Sequence, residues 1–234
     1  MIHSKSEVDR AGRLYANQLR GSGQAHSKEE LEAAVKVIEW WRHEHAKPLS
    51  RVASNLRHYA AAEGRPWVAQ RLKKFPTIVD KLTREPKMKL SRMADVGGVR
   101  ALLSDQDAAY RVASRLRRNW TIIRFRDYVA EPKADGYRAL HLISRNRGRL
   151  IEIQLRTPLQ DNWANMAEIL SRLGAPDLKY GGGPAYLREY LHTSSEIQIL
   201  EEQGLPIPPS LEERYGDLLR QADNFVDEAS DEPR

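Results

Sequence analysis

The stretch from Arg126 to Thr157, RDYVAEPKADGYRALHLISRNRGRLIEIQLRT, constrains the fold of this 234-residue chain more than any other. A Pro-Lys-Ala-Asp-Gly-Tyr turn leads into a strand through His141, a hairpin follows, and a second strand carries a single acid, Glu152. Ile151, Ile153 and Leu155 alternate with Glu152, Gln154 and Arg156, and a period of two over such a run is the signal of a half-buried strand. A face that presents an acid, an amide and a guanidinium is either a solvated edge or the floor of a site.

The flanking segments read as helices and short strands. Residues 1–26 are polar, end in GSGQAHS and are expected to be a flexible lead-in. Ser27 and Glu30 form a capping box ahead of Leu31, Ala34, Val35, Ile38 and Trp41, which predicts a helix over about 28–45. His43 and His45 are two apart, so they point to different sides of that helix and cannot pair on zinc; surface positions are expected for both. Pro48 is placed to open the next helix, with Leu49, Val52, Leu56 and Tyr59 as its apolar stripe. Further on, strands are expected over 99–103 and 120–125 and helices over 105–118, 159–173, 185–203 and 210–228, with GGGP at 181–184 as a loop tip. Helices, then mixed strands, then helices predict an α+β fold with a small mixed β-sheet flanked by helices.

Charge is distributed unevenly. Residues 189–234 hold 12 acids against three arginines, whereas the whole chain is +6, so residues 1–188 carry +15. That balance suits a phosphate-rich partner. The absence of cysteine excludes disulfides and thiolate metal sites. No apolar run approaches the roughly 18 residues of a membrane helix, and the N-terminus has no signal-peptide core, so a cytoplasmic, membrane-free protein is expected.

Two segments suggest chemistry. Residues 65–92 contain nine basic residues against Asp80 and Glu85. Within them Arg71 and Lys73 precede Pro76, Thr77 stands where a helix cap belongs, and Lys81 and Arg84 share a helix face, a combination suited to an anion. Asp95 precedes the Gly97-Gly98 pair at the mouth of a strand, where a carboxylate could hold Mg²⁺ or simply cap a turn.

Taken together, these residues resemble the synthetase domain of the RelA/SpoT family, whose members transfer pyrophosphate from ATP to a 3′-hydroxyl. The family pattern R-x-K…S-I-x-x-K-x-x-R is met by Arg71, Lys73, Thr77, Ile78, Lys81 and Arg84, and D-I-A-G-x-R by Asp95, Gly98 and Arg100. The pattern K-D-Y-I-x-x-P-K-x-N-G-Y-R-S-L-H is met by Asp127, Tyr128, Pro132, Lys133, Gly136, Tyr137, Arg138, Leu140 and His141, and E-x-Q-I-R-T by Glu152, Gln154, Arg156 and Thr157. Arg126 stands in place of the usual lysine, Thr77 of serine, Asp135 of asparagine and Val96-Gly97 of Ile-Ala.

The resemblance implies a RelA/SpoT synthetase, nucleotidyltransferase-like fold and an ATP-dependent pyrophosphokinase of the short, synthesis-only kind. It implies Asp95 and Glu152 as catalytic residues and Mg²⁺ ligands, and Arg71, Lys73, Thr77, Lys81 and Arg84 as the ATP side. Arg126, Lys133, Tyr137, His141 and Gln154 would bind the acceptor, with Tyr137 stacking on its base. The expected layout is N-terminal helices over 1–64, the pyrophosphokinase core over 65–180 and acidic C-terminal helices over 181–234. The opening SKSEVDRAG, the ending LIEIQLRTPLQDNWA and the arginines at 111, 115, 117 and 118 resemble the toxic small alarmone synthetases. These modify the 3′-terminal adenosine of tRNA and are paired with an antitoxin protein, and that acceptor is the leading expectation. Synthesis of (p)ppGpp from ATP and GDP or GTP is the alternative, and a non-catalytic RNA- or nucleotide-binding relic a further one.

Overall fold

The alternation along the last two strands places both in the middle of a sheet. A computed structural model describes residues 2–22, 25–64, 66–175, 178 and 181–231. Five strands, β1 (Trp67–Leu72), β2 (Gly97–Leu102), β3 (Ile122–Asp127), β4 (Leu140–Asn146) and β5 (Arg149–Arg156), form one mixed sheet in the order β1-β2-β5-β4-β3. Ile151, Ile153 and Leu155 are fully buried, which fixes the register of β5, because a slip of one residue would turn all three outward. The expected α+β architecture with flanking helices is observed.

The chain divides into two compact units. The first takes Met1–Ala101, Arg115–Phe125 and Leu142–Gln154. It contains α1 (Lys5–Arg20), α2 (Lys28–His43), α3 (Ala46–Ala60) and α4 (Phe75–Arg84). Its core packs Val8, Ile38, Trp41, Ile78, Leu82 and Leu90 together. The segment expected to be a flexible lead-in is therefore a helix over most of its length; Gly23 and Gln24 lie outside the described residues. Ser4 and Glu7 make its capping box, and its buried face is built from Val8, Ala11, Gly12 and Ala16, small residues that give little hydrophobic signal. Asp9 accepts from the backbone and hydroxyl of Ser91 at 2.8 and 3.0 Å, and Arg20 donates to the Leu82 and Thr83 carbonyls at 2.9 Å. Strand β1, read in the sequence only as part of a basic run, forms the sheet edge beside β2.

The second unit takes Leu102–Ser114, Arg126–His141 and Leu155–Arg234. It holds α5 (Gln106–Asn119) up to Ser114, α6 (Pro158–Arg172), α7 (Ala185–Gln203) and α8 (Pro209–Asp231). Trp163, Leu170, Leu187, Tyr190 and Leu218 make its core, with Tyr190 stacked on Tyr215 and the Trp163 indole N–H donating to the Leu191 carbonyl at 2.6 Å. Among the described residues no helix is long and apolar enough to cross a membrane.

Two helix-end expectations are corrected. Helix α3 begins at Ala46, two residues before Pro48, since proline is tolerated anywhere in the first turn, where its missing N–H has no intrahelical acceptor. His43 is exposed, but His45 is 1% exposed: it lies edge-on to Trp41 with Nδ1 2.8 Å from the Trp41 carbonyl, because the chain turns between α2 and α3 instead of continuing one helix.

Burial lowers the pKa of His45 to about 4, against the opposing hydrogen bond to Trp41 and helped by the nearby charge of Arg149. The unfolded chain takes up a proton on this side chain as pH falls below about 6.5, while the folded chain does not until about 4. Stability is therefore complete above pH 6.5 and lost by roughly 3 kcal/mol as pH falls to 4. His45→Gln is expected to flatten this part of the urea-unfolding profile between pH 7 and 4.

Candidate active site

In the first unit, strand β1 delivers Lys73 to a fixed place. Its backbone N–H donates to the Val96 carbonyl at 2.9 Å, and its carbonyl accepts from Arg42 Nε at 2.8 Å. Its ammonium meets Asp95 Oδ2 at 2.9 Å, and Lys81 of α4 meets Asp95 Oδ1 at 3.1 Å. All three side chains are largely buried. Burial pushes the Asp95 carboxyl up, but the two ammoniums, as charges and as donors, outweigh it and hold the group below its ordinary value.

Asp95 occupies a short 3-10 turn (Ala94–Val96) with φ −94° and ψ 15°, the sparsely allowed bridge region. The next residue but one, Gly97, opens β2 against β5: a Cβ there would lie 2.8 Å from Ile151 Cδ1. Ile151 adjoins Glu152, whose carboxylate accepts from the Gln154 amide at 2.9 Å. The two predicted metal carboxylates thus belong to neighbouring strands, one at the head of β2 and one within β5.

The remaining donor-side residues are placed less tightly. Arg71 is exposed on β1, and Arg84 forms a two-armed pair with Asp80 on its own helix, at 3.1 and 3.0 Å. Thr77 is not the cap of α4. Pro76 falls in the first turn, so the helix starts at Phe75, Lys74 is the capping residue, and the Thr77 hydroxyl donates back to the Lys74 carbonyl at 2.8 Å.

In the second unit, the turn before Tyr137 is closed by backbone bonds from Gly136 N–H to the Lys133 carbonyl (2.8 Å) and from Lys133 N–H to the Tyr137 carbonyl (3.1 Å). Asp135 accepts from the Tyr137 N–H at 2.9 Å, a role asparagine fills equally well. Gly136 has φ +91°, and a Cβ would come within 2.9 Å of Ser195 Cβ and 3.2 Å of the Leu191 carbonyl of α7, so only glycine fits. Tyr137 is half-buried. Its hydroxyl lies 2.6 Å from His141 Nε2 and accepts from Arg156 Nη2 at 2.9 Å, while the Lys133 ammonium sits 4.7 Å from its ring centre. His141 also meets Tyr128 edge-on, and Arg126 is exposed at the end of β3.

Three charged groups that support this turn have no role in the sequence reading. Arg156, expected on the polar face of β5, is 3% exposed and donates to Asp161 at 2.8 Å. Arg138, next to Tyr137, is also 3% exposed and pairs with Glu202 in the last turn of α7. Glu202 further accepts from the Thr157 hydroxyl, from Gln106 at 2.6 Å and from Gln160 at 3.2 Å. One buried carboxylate therefore holds the residue after Tyr137 and the cap of α6. No spacing in the sequence marks Glu202, which reads as one of two surface acids before Gly204.

Among the described residues, no group of three or more His, Asp or Glu side chains gathers as a metal cage. Mg²⁺ is typically held by one or two carboxylates with substrate phosphates and waters completing its shell, and the sequence-predicted pair Asp95 and Glu152 would supply that number.

Removing Glu202 strands a buried guanidinium. Glu202→Leu is expected to cost about 3–5 kcal/mol in denaturant unfolding, whereas the exposed neighbour change Glu201→Leu stays within about 0.5 kcal/mol.

The family described as "Region found in RelA / SpoT proteins" matches residues 70–171. An uncharacterized protein of Mycobacterium tuberculosis is 35% identical over 136 residues, 53% of this chain and 49% of its own length. GTP pyrophosphokinase YjbM of Bacillus subtilis is 31% identical over 143 residues, 56% of this chain and 65% of its own. The chain thus spans about half of the first of these relatives and just under two thirds of the second. Among solved structures, small alarmone synthetase 1 from B. subtilis bound to its product pppGpp superimposes with a TM-score of 0.58 at 24% identity, covering 71% of this chain and 94% of that one. Residues 70–171, which include Arg71, Asp95, Tyr137 and Glu152, carry the region found in RelA / SpoT proteins, on the fold of the small alarmone synthetases.

Proposed function

We propose that this protein transfers pyrophosphate from ATP to the 3′-hydroxyl of a guanosine nucleotide, GDP or GTP, and so makes (p)ppGpp. The observation that carries this reading is the ionised Asp95 held between Lys73 and Lys81, within the RelA / SpoT region of a chain that is 31% identical to a GTP pyrophosphokinase over 143 residues. In such a transfer the 3′-oxygen attacks the β-phosphorus of ATP, the bond from that phosphorus to the α–β bridging oxygen breaks, AMP leaves and the hydroxyl proton is released. Little covalent chemistry is asked of the protein; it must align the groups and neutralise charge.

The residues divide that work. Lys73 and Lys81 each carry three N–H donors, more than Asp95 takes up, which leaves donors for phosphate oxygens. Arg71 and Arg84 add planar guanidiniums suited to phosphate or to stacking on adenine. Thr77 lies in the first turn of α4, whose N-terminal N–H groups have no side-chain cap. Asp95 and Glu152 are the ligands for Mg²⁺, which when bound offsets the charge on the transferring phosphates. On the acceptor side Tyr137 offers an aromatic platform, Gln154 an amide, and Lys133, Arg126 and His141 groups for phosphate and ribose.

The tRNA acceptor expected from the sequence has less support than the guanosine nucleotide. It draws on the arginines of α5, yet Arg115 is engaged by Glu63 and the Tyr59 carbonyl, and Arg117 lies over the Phe125 ring at 4.8 Å. The toxin role and an antitoxin partner stand or fall with that acceptor.

Labelled ATP offered with GDP, GTP and deacylated tRNA side by side tests the reading. Label is expected in ppGpp and pppGpp, and Asp95→Asn or Glu152→Gln should lower the rate by about 10²–10³-fold. Label in tRNA alone would replace the nucleotide acceptor with the tRNA one.

A further inference from the structure

The hairpin between β4 and β5 carries none of the motif residues, yet it walls a cavity of about 350 Å³ in the first unit. That volume lies at the lower end of small-ligand sites. Arg145 and Arg147 come from the hairpin, Arg51 and Asn55 from α3, and Thr121 from the start of the β3 segment. Arg51 and Asn55 are four residues apart and so lie on one side of α3. The hairpin is fixed on this wall by a backbone bond from Arg145 N–H to the Thr121 carbonyl at 2.9 Å.

Two features of this cavity point to an anion. Its lining has three arginines and no aspartate or glutamate; the other polar side chains are amides and hydroxyls, all able to donate. Guanidinium forks match phosphate oxygens in pairs. Arg147 has φ +47° and Gly148 φ +75°, the two left-handed residues of a type I′ hairpin turn. Asparagine or glycine takes the first of these positions with less strain, so the chain keeps an arginine where backbone preference opposes it.

We propose that this cavity is a second ligand site, separate from the motif residues, which takes a small phosphomonoester. The phosphate is held by Arg51, Arg145 and Arg147. A nucleotide carries such a phosphate. The assignment does not depend on which acceptor the motif residues use.

Calorimetric titration of the full chain with GDP, repeated with inorganic phosphate as competitor, tests the site. The unmodified protein is expected to bind one more equivalent of GDP than the Arg51→Ser/Arg145→Ser/Arg147→Ser variant, with inorganic phosphate displacing that equivalent. Single changes among the three should weaken it about tenfold each, the loss of one charge-assisted contact. Arg147→Gly separates binding from folding, since it removes the cation and relaxes the turn. It is expected to melt at or above the temperature of the unmodified protein while losing affinity. Equal stoichiometry and affinity in the triple variant would overturn the proposal. So would binding of a single-stranded oligoribonucleotide that is lost in the triple variant, in the absence of any GDP or phosphate binding, which would make the hairpin a nucleic-acid contact.

Discussion

The alternation of β5 governs the arrangement of the motif residues. Ile151, Ile153 and Leu155 have no acceptable place but the interior, and their burial commits Glu152 and Gln154 to the opposite face. Side-chain direction along a strand has a period of two, so apolar burial also sets the aim of the acid. Gly97 extends the same control to β2, because its missing side chain gives Ile151 room on the neighbouring strand and brings the head of β2, with Asp95, alongside. A hydrophobic requirement thereby positions two carboxylates whose own preference is for water.

Around that frame, charge is placed in two different ways. Asp95, Lys73 and Lys81 keep some contact with solvent and offset one another with one surplus positive charge. Such a cluster tolerates an incoming anion. Arg138 with Glu202 and Arg156 with Asp161 are enclosed, and their value is geometric. Buried ion pairs contribute little net stability, but they permit few alternative packings around them. The enclosed pairs occur beside Tyr137, whose hydroxyl accepts from Arg156.

The sequence disclosed the parts that have a period or a local grammar. Helix α7 and the alternation of β5 are visible because apolar spacing or strand period identifies them. The capping box of α2 is visible as Ser27 and Glu30. Helix α1 escaped detection because it buries alanine and glycine, although its own box, Ser4 and Glu7, was present to be read. His45 was assigned to the surface because polar residues usually go there; the edge contact with Trp41 reverses that preference. Arg156 was read only as part of the polar face of β5, and its partner Asp161 was not foreseen. Glu202 could not be found from spacing at all, since its partners lie 42 to 96 residues away. Arg138, Arg156 and Thr157 were legible as parts of motifs, but their carboxylate partners Glu202 and Asp161 were not.

The position of Lys133 has one further consequence. Its ammonium lies 4.7 Å from the ring centre of Tyr137 and 4.9 Å from that of Tyr128, so it occupies the aromatic surface of the turn. Under the proposed function, a base arriving at this turn meets an ammonium already set against two aromatic rings, and a phosphate on the same molecule gives that ammonium a second partner.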